Sequence, residues 1–196
     1  MSHRETRDRR LVALLAVIAL AAGTGPAFGQ TVPDRQGTVE FSFGSYNVAD
    51  PLFDTIYRPG GAIGGLGFTA ALLPHIDFYF DLKVMVKNGL LSHSQDTTTF
   101  VMIPISMGVR YAYPVSFIIP FAGAGFDYYA YVEDNPIGTV LDNAAGLHFL
   151  AGFYLRFGER FPILPFARLK YALVKAGPSK IDLGGWEFGG GLAIAY

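Results

Sequence analysis

Hydrophobic and polar positions alternate with period two along most of the chain after residue 36. That period belongs to strands, because successive side chains of a strand point to opposite faces. Val39, Phe41 and Phe43 alternate with Thr38, Glu40, Ser42 and Gly44. Phe78, Phe80, Leu82, Val84 and Val86 alternate with Asp77, Asp81, Lys83 and Lys87 among others. The same pattern places Ser106, Gly108 and Arg110 opposite Ile105, Met107 and Val109. His148, Gly152, Tyr154 and Arg156 lie opposite Leu147, Phe149 and Phe153, and Arg168 and Lys170 opposite Ala167, Leu169 and Tyr171. Near the C-terminus Glu187, Gly189 and Gly191 lie opposite Trp186, Phe188, Leu192 and Ile194. Two segments alternate less cleanly. In Gly61–Leu73, Leu66, Phe68, Ala70 and Leu72 share a face with small residues opposite. In Phe117–Val132, Asp127 assigns Phe121, Gly123 and Gly125 to the polar face, and Ile119 falls there as an apolar misfit. The pattern predicts eight strands, at about 37–48, 61–73, 76–87, 98–113, 117–132, 144–157, 163–174 and 183–196. No window after residue 30 carries a helical stripe.

The connections alternate in length. Short ones fall around Pro74, Pro114–Ser116 and Gly158–Phe161, and longer ones cover Ala49–Gly60, Asn88–Thr97, Glu133–Asn143 and Lys175–Asp182. Short turns at one end and long loops at the other are the pattern of a membrane barrel. A soluble sandwich also alternates, with its charges to water. The aromatic richness of the apolar faces and strands longer than the usual five to six residues argue against it. In lipid no water satisfies a free backbone group, so a sheet that crosses must close on itself. Eight strands leave an interior just wide enough for side chains to fill it. The expected fold is therefore all-β: an eight-stranded antiparallel up-and-down transmembrane barrel over residues 37–196. Its interior polar network is expected to comprise Glu40, Asp81, Lys83, Arg110, Asp127, His148, Arg156, Arg168, Lys170 and Glu187. The inward glycines and alanines of the last strand are expected to make room for the long bases. Pro104, Pro120 and Pro165 fall inside strands, where proline removes a ladder donor, so bulges are expected there.

The N-terminus changes the compartment. Four arginines and two acids precede Leu11–Ala22, an unbroken apolar run, and Gly25, Pro26, Ala27 and Gly29 follow. A positive start, an apolar stretch and small residues make a secretory signal. The run is too short for a span of about 20 residues. Cleavage is expected after Gly29, with 30–36 a short lead-in. Removing residues 1–29 leaves 11 bases and 14 acids, a net charge of −3 with no basic block. Nucleic acid is excluded as a partner on that ground. Charged residues are only 16% of the chain, against roughly 25% in soluble domains. With no cysteine there is neither a disulfide framework nor a thiolate metal site.

Three stretches carry a family resemblance: IPISMGVRYAYP at Ile103–Pro114, IPFAGAGFDYY at Ile119–Tyr129, and GGWEFGGGLAIAY at Gly184–Tyr196. They resemble the outer-membrane β-barrel domain family, the small eight-stranded porin-like proteins similar to OmpA and OmpW transmembrane domains. The third looks like the C-terminal strand that the barrel-assembly machinery reads, through Trp186, Phe188, Leu192, Ile194 and Tyr196. Tyrosine here stands where phenylalanine is more usual. The resemblance implies an integral outer-membrane location, lipid and the assembly machinery as partners, and no cofactor. It transfers no catalytic residue, and a monomer is expected.

Candidate chemistry is sparse. His93, Ser94 and Asp96 share a loop, but no Gly-x-Ser-x-Gly turn exposes the serine. Glu133, Asp134 and Asp142 could ligate calcium, and solvated loop acids are the simpler reading. The glycines at Gly60–Gly67 and Gly189–Gly191 lack the lysine and helix of a phosphate loop. Trp186, Tyr111, Tyr113, Tyr171 and Tyr196 suit interfacial belts. The expected role is non-enzymatic: structural, or passage of a small solute. The alternatives are an OmpW-like channel for small hydrophobic molecules, an outer-membrane lipid-modifying enzyme, and a periplasmic lipocalin-like binder.

Overall fold

A computed structural model describes residues 36–90, 96–158, 161–176 and 181–196. The expected export signal, residues 30–35 of the lead-in, and the His93–Ser94 pair lie outside the described residues. The strands are β1 (Gly37–Val48), β2 (Gly61–Leu73), β3 (Ile76–Leu90), β4 (Thr97–Ala112), β5 (Ile118–Asn135), β6 (Gly138–Leu155), β7 (Ile163–Ala176), the two-residue β8 (Ile181–Asp182) and β9 (Gly185–Ala195). Each long strand pairs antiparallel with its neighbour, β9 pairs with both β7 and β1, and β6 pairs with β7. The ring is therefore closed and has eight staves, the last of them broken between β8 and β9.

Burial along the staves is inverted relative to a soluble protein. Glu40, Asp81, Lys83, Arg110, Asp127, Arg168, Lys170 and Glu187 are buried, while Phe41, Phe43, Leu66, Phe126, Phe149 and Phe188 are exposed on the outer wall. Phe43, at 74% relative exposure, is the kind of residue that a sandwich would place in its core. This inversion removes the soluble alternatives. Aromatic pairs mark the two ends of the wall: Tyr171 on Trp186 toward the loops, and Tyr111 beside Tyr113 toward the turns.

The three strand prolines do not bulge. Pro104 faces Tyr129, Pro120 faces Phe153 and Pro165 faces Leu192, all in continuous register. The β3–β4 ladder is interrupted beside Pro104, between the Leu82–Ile105 and Met85–Met102 pairs, and resumes in the same register. The register shift that does occur lies at Ala71–Leu73, next to the turn at His75. A missing N–H thus costs ladder pairs locally without adding a residue.

Two further features depart from the sequence reading. Loop Ala49–Gly60 contains a helix, α1 (Pro51–Tyr57). Asp50 caps it by accepting the Leu52 N–H at 2.8 Å, and Pro51 takes the first turn, where its missing donor costs nothing. The third outer loop also shrinks to a turn, because β5 runs on to Asn135 and β6 begins at Gly138. Asn135 closes that turn through its side chain, which accepts the N–H groups of Ile137 and Gly138.

Candidate functional site

The interior has three layers. Toward the turns an apolar layer holds Ile119, Phe121, Leu150, Leu164, Phe166 and Ala193. Toward the loops a second apolar layer holds Ile63, Met85, Phe100, Met102, Val174 and Leu183. Ile119 therefore does face inward, as the Asp127 register requires, and packs there as part of a plug. The charges occupy the layer between.

One branch of that layer centres on Glu40. Arg110 spans Glu40 at 3.1 Å and Asp77 at 3.2 Å. Tyr154 donates its hydroxyl to Glu40, and Thr38 donates at 3.2 Å. Arg168 lies 3.7 Å from Glu40 and 2.9 Å from Asp81, and approaches Glu187 at 3.9 Å. Glu187 in turn takes the ammonium of Lys83. The second branch centres on Asp127, which accepts from Lys170 at 2.8 Å and from Tyr129 at 3.2 Å. His148 places Nδ1 3.0 Å from the same carboxylate, with Nε2 against the Tyr79 hydroxyl. Lys170 also donates to Ser106 at 2.7 Å. The arginines lie over rings as well: Arg110 over Phe121 and Tyr154, and Arg168 over Phe166. Every carboxylate here meets a base or a hydroxyl, which is the condition for keeping charge out of water.

Nine of the ten expected interior residues lie in this layer. Arg156 does not. It follows the end of β6, and its guanidinium donates at 2.7 Å to the Ser116 carbonyl in an exposed turn. Period two carried it inward on paper, but the strand ends at Leu155 and releases it. Asp77, Thr38, Ser106, Tyr79, Tyr129 and Tyr154 join the network. Thr38, Asp77, Tyr79, Ser106 and Tyr154 already showed as polar-face positions by alternation.

The room for the bases also comes from an unexpected place. At Gly67 a side chain would collide with the Asp81 carboxylate and stand 3.3 Å from Glu40 Cβ, whereas at Gly123 it would first strike the Val109 carbonyl of β4. At Gly189 and Gly191 it would meet the backbone of β1 instead. The glycines of the last strand thus let β1 and β9 approach, as Gly123 does for β4 and β5, while Gly67 on β2 makes space for charge.

The loop end is closed by α1. Phe53 packs edge-on against Phe100 at 5.0 Å, and the Tyr57 hydroxyl donates to Glu133 at 2.8 Å. Burial pushes that hydroxyl above the ordinary tyrosine range. Lys87 donates to the carbonyls of Arg58 and, at 2.6 Å, Gly60. Among the other loop acids, Asp134 accepts from Thr139 at 2.6 Å and Asp142 from Tyr131 at 3.3 Å, and no group of three metal-ligating side chains forms among the described residues.

The line Tyr79–His148–Asp127 has the order of a proton relay. Its members are sealed between the two apolar layers, with His148 and Asp127 fully buried. A relay needs a substrate in hydrogen-bond reach, and here the Tyr79 hydroxyl is taken up by the imidazole. The chemistry that this arrangement performs is charge pairing. Trp186, Phe188, Leu192 and Ile194, the residues expected to carry an assembly signal, share one face of β9. Tyr196 ends the stave by accepting the Gln36 N–H at 3.0 Å and donating its own to Gly37 at 3.2 Å.

No protein-family model and no curated protein matches the sequence. Solved structures do match. The outer membrane protein OprG from Pseudomonas aeruginosa aligns over 83% of this chain and 96% of its own, with TM-score 0.64 and 14% identity. Neisserial surface protein A aligns over 82% and 97%, with TM-score 0.63 and 13% identity. The N-terminal β-barrel domain of Pseudomonas aeruginosa OprF aligns over 83% and 98%, with TM-score 0.50 and 16% identity. The fold is that of the small eight-stranded outer-membrane barrels.

Proposed function

We propose that this protein is an integral outer-membrane barrel without enzymatic activity, sealed to solutes, whose role is structural and which presents its loop end to the exterior. The observation that carries the proposal is the sandwiching of an interlocked charge layer between two apolar plugs. A channel would need a gap through Glu40, Arg110 and Arg168. Those three side chains are buried and joined to one another instead. The exposed apolar wall supports hydrocarbon as its surroundings, and the fold supports the outer membrane in particular. On this reading residues 1–29 direct export and are removed, the assembly machinery reads the stave that ends at Tyr196, and the chain works as a monomer.

The test is conductance. The mature chain is folded in detergent, its closure is checked by a heat-modifiable band, and it is reconstituted in a planar bilayer. A closed barrel that gives no resolvable unitary current at 1 M salt, on the order of a standard high-salt assay, supports the proposal. Regular single-channel steps would replace it with the solute-passage reading. A chain that stays soluble without detergent would remove the membrane assignment.

A further inference from the structure

The loop end of the barrel contains a strained joint. Among the described residues, three that are not glycine have a positive φ: Arg58, His75 and Ser116. His75 and Ser116 serve the tight turns after β2 and β4. Arg58 is different. It ends α1 with φ 61° and ψ 156°, a combination that glycine adopts freely and that costs a residue with a Cβ. Its own side chain is exposed.

The joint is held by a side chain of the wall. The last carbonyls of a helix have no partner within it, and they favour a cation. α1 has no basic residue in its last turn. Lys87 of β3 supplies one. Its ammonium donates to the Arg58 carbonyl and, at 2.6 Å, to the Gly60 carbonyl, so it bridges the chain on both sides of Pro59. The same ammonium lies 5.5 Å from the centroid of the Phe53 ring. Gly89 lets the helix end come this close, since a side chain there would strike the Ile56 carbonyl. Phe53 against Phe100 completes the dock, with the Tyr57 hydroxyl donating to Glu133 at 2.8 Å and standing 3.0 Å from that of Thr98.

Two forces therefore oppose each other at one place. Strain of this kind persists only where surrounding contacts over-determine it. Away from the wall Arg58 would return to an ordinary extended backbone, and a helix of seven residues does not persist alone.

We infer that α1 is a spring-loaded lid, cocked at Arg58 and latched by Lys87, which undocks as a unit while the barrel beneath it stays closed. Undocking carries Phe53 and Tyr57 away and uncovers Phe100. The charge layer is held separately, by ion pairs between barrel strands. That the uncovered face looks out of the cell rests on the outer-membrane reading; the spring and the latch do not.

The test is amide exchange in the full mature chain folded in micelles, read by mass spectrometry over residues 53–57, with residues 123–127 of β5 as the internal control. Arg58→Ala keeps the Cβ and so the strain, and should exchange within about twofold of wild type. Arg58→Gly removes the strain and should slow exchange about fivefold, the relief outweighing the extra freedom of glycine in the undocked chain. Lys87→Met keeps the stem over Phe53 but removes the donors, and should speed exchange by about tenfold or more. Adding Arg58→Gly to Lys87→Met should recover part of that loss, because the spring that the latch opposed is gone. Three results would overturn the inference: unchanged exchange in Lys87→Met, exchange in Arg58→Gly no slower than in Arg58→Ala, or equal acceleration of residues 123–127, which would make the opening an unfolding of the whole barrel. If Lys87→Met gives no heat-modifiable band, the comparison of Arg58→Gly with Arg58→Ala decides alone.

Discussion

At the scale of single residues, the network is most exposed to the loss of Arg110. Its guanidinium is planar and forked, so it can hold Glu40 at 3.1 Å and Asp77 at 3.2 Å together. Truncation to alanine would leave a buried carboxylate pair without its shared cation, with Arg168 at 3.7 Å as the remaining base near Glu40. Breaking a buried pair from one side costs about 3 kcal/mol. Arg110→Ala should therefore lower the urea-unfolding free energy in micelles by about that amount. Arg110→Lys should lose about half of it, since an ammonium can reach one carboxylate but not clamp two. Wild-type stability in Arg110→Ala would mean that the charges are individually solvated. Much of this site was legible beforehand. A lone Asp81, Arg110 or Glu187 in a row of lipid-facing positions can only point inward, so composition and period two locate it. The partners were not legible, because which base meets which acid depends on how far each stave is slid along its neighbour. Arg156 shows the limit: alternation gives a face, but nothing in it says that the strand stops at Leu155.

At the scale of elements, the misreadings share one cause. α1 spans seven residues, too few for a periodic stripe to form, and only the Asp50–Pro51 pair marks its start. Residues 133–143 contain three acids, two asparagines, a proline and a glycine, a loop composition that pairing along β5 overrides. The apolar residues Met85, Ile119, Leu150 and Leu164 violate the polar-inside rule because the interior is plugged at both ends. Local sequence could not announce that. The helix itself yields a prediction. α1 is held by Phe53 against Phe100 and by Tyr57 on Glu133, not by its own length, since isolated helices this short are marginal. Asp50→Ala removes a cap worth about 1 kcal/mol, and Phe53→Ala removes the anchoring ring. Both should speed amide exchange over Phe53–Tyr57 while leaving the heat-modifiable band in place. If the barrel itself failed to close in Phe53→Ala, α1 would have to be part of the folding core and not a late cap.

At the scale of the whole molecule, the layered interior makes stability and permeability two readings of one property. Charge pairs that ions can reach weaken with salt, because the screening length falls from about 10 Å at 0.1 M to about 3 Å at 1 M. Pairs behind apolar plugs are not reached. Arg168 and Lys170 touch their carboxylates at 2.9 and 2.8 Å with 4% or less of each residue exposed. Exposed pairs contribute roughly 0–1 kcal/mol each and would respond. The urea-unfolding free energy should therefore change by less than about 1 kcal/mol between 0.1 and 1 M sodium chloride. Urea is needed for this because an ionic denaturant would mask the effect. A fall of several kcal/mol at high salt would place ions inside the barrel, and the same preparation should then conduct. Salt insensitivity with conduction, or salt sensitivity without it, would break the link between the two, and the plugs at Ile119–Leu164 and Met85–Met102 would have lost their assigned part in sealing the charges.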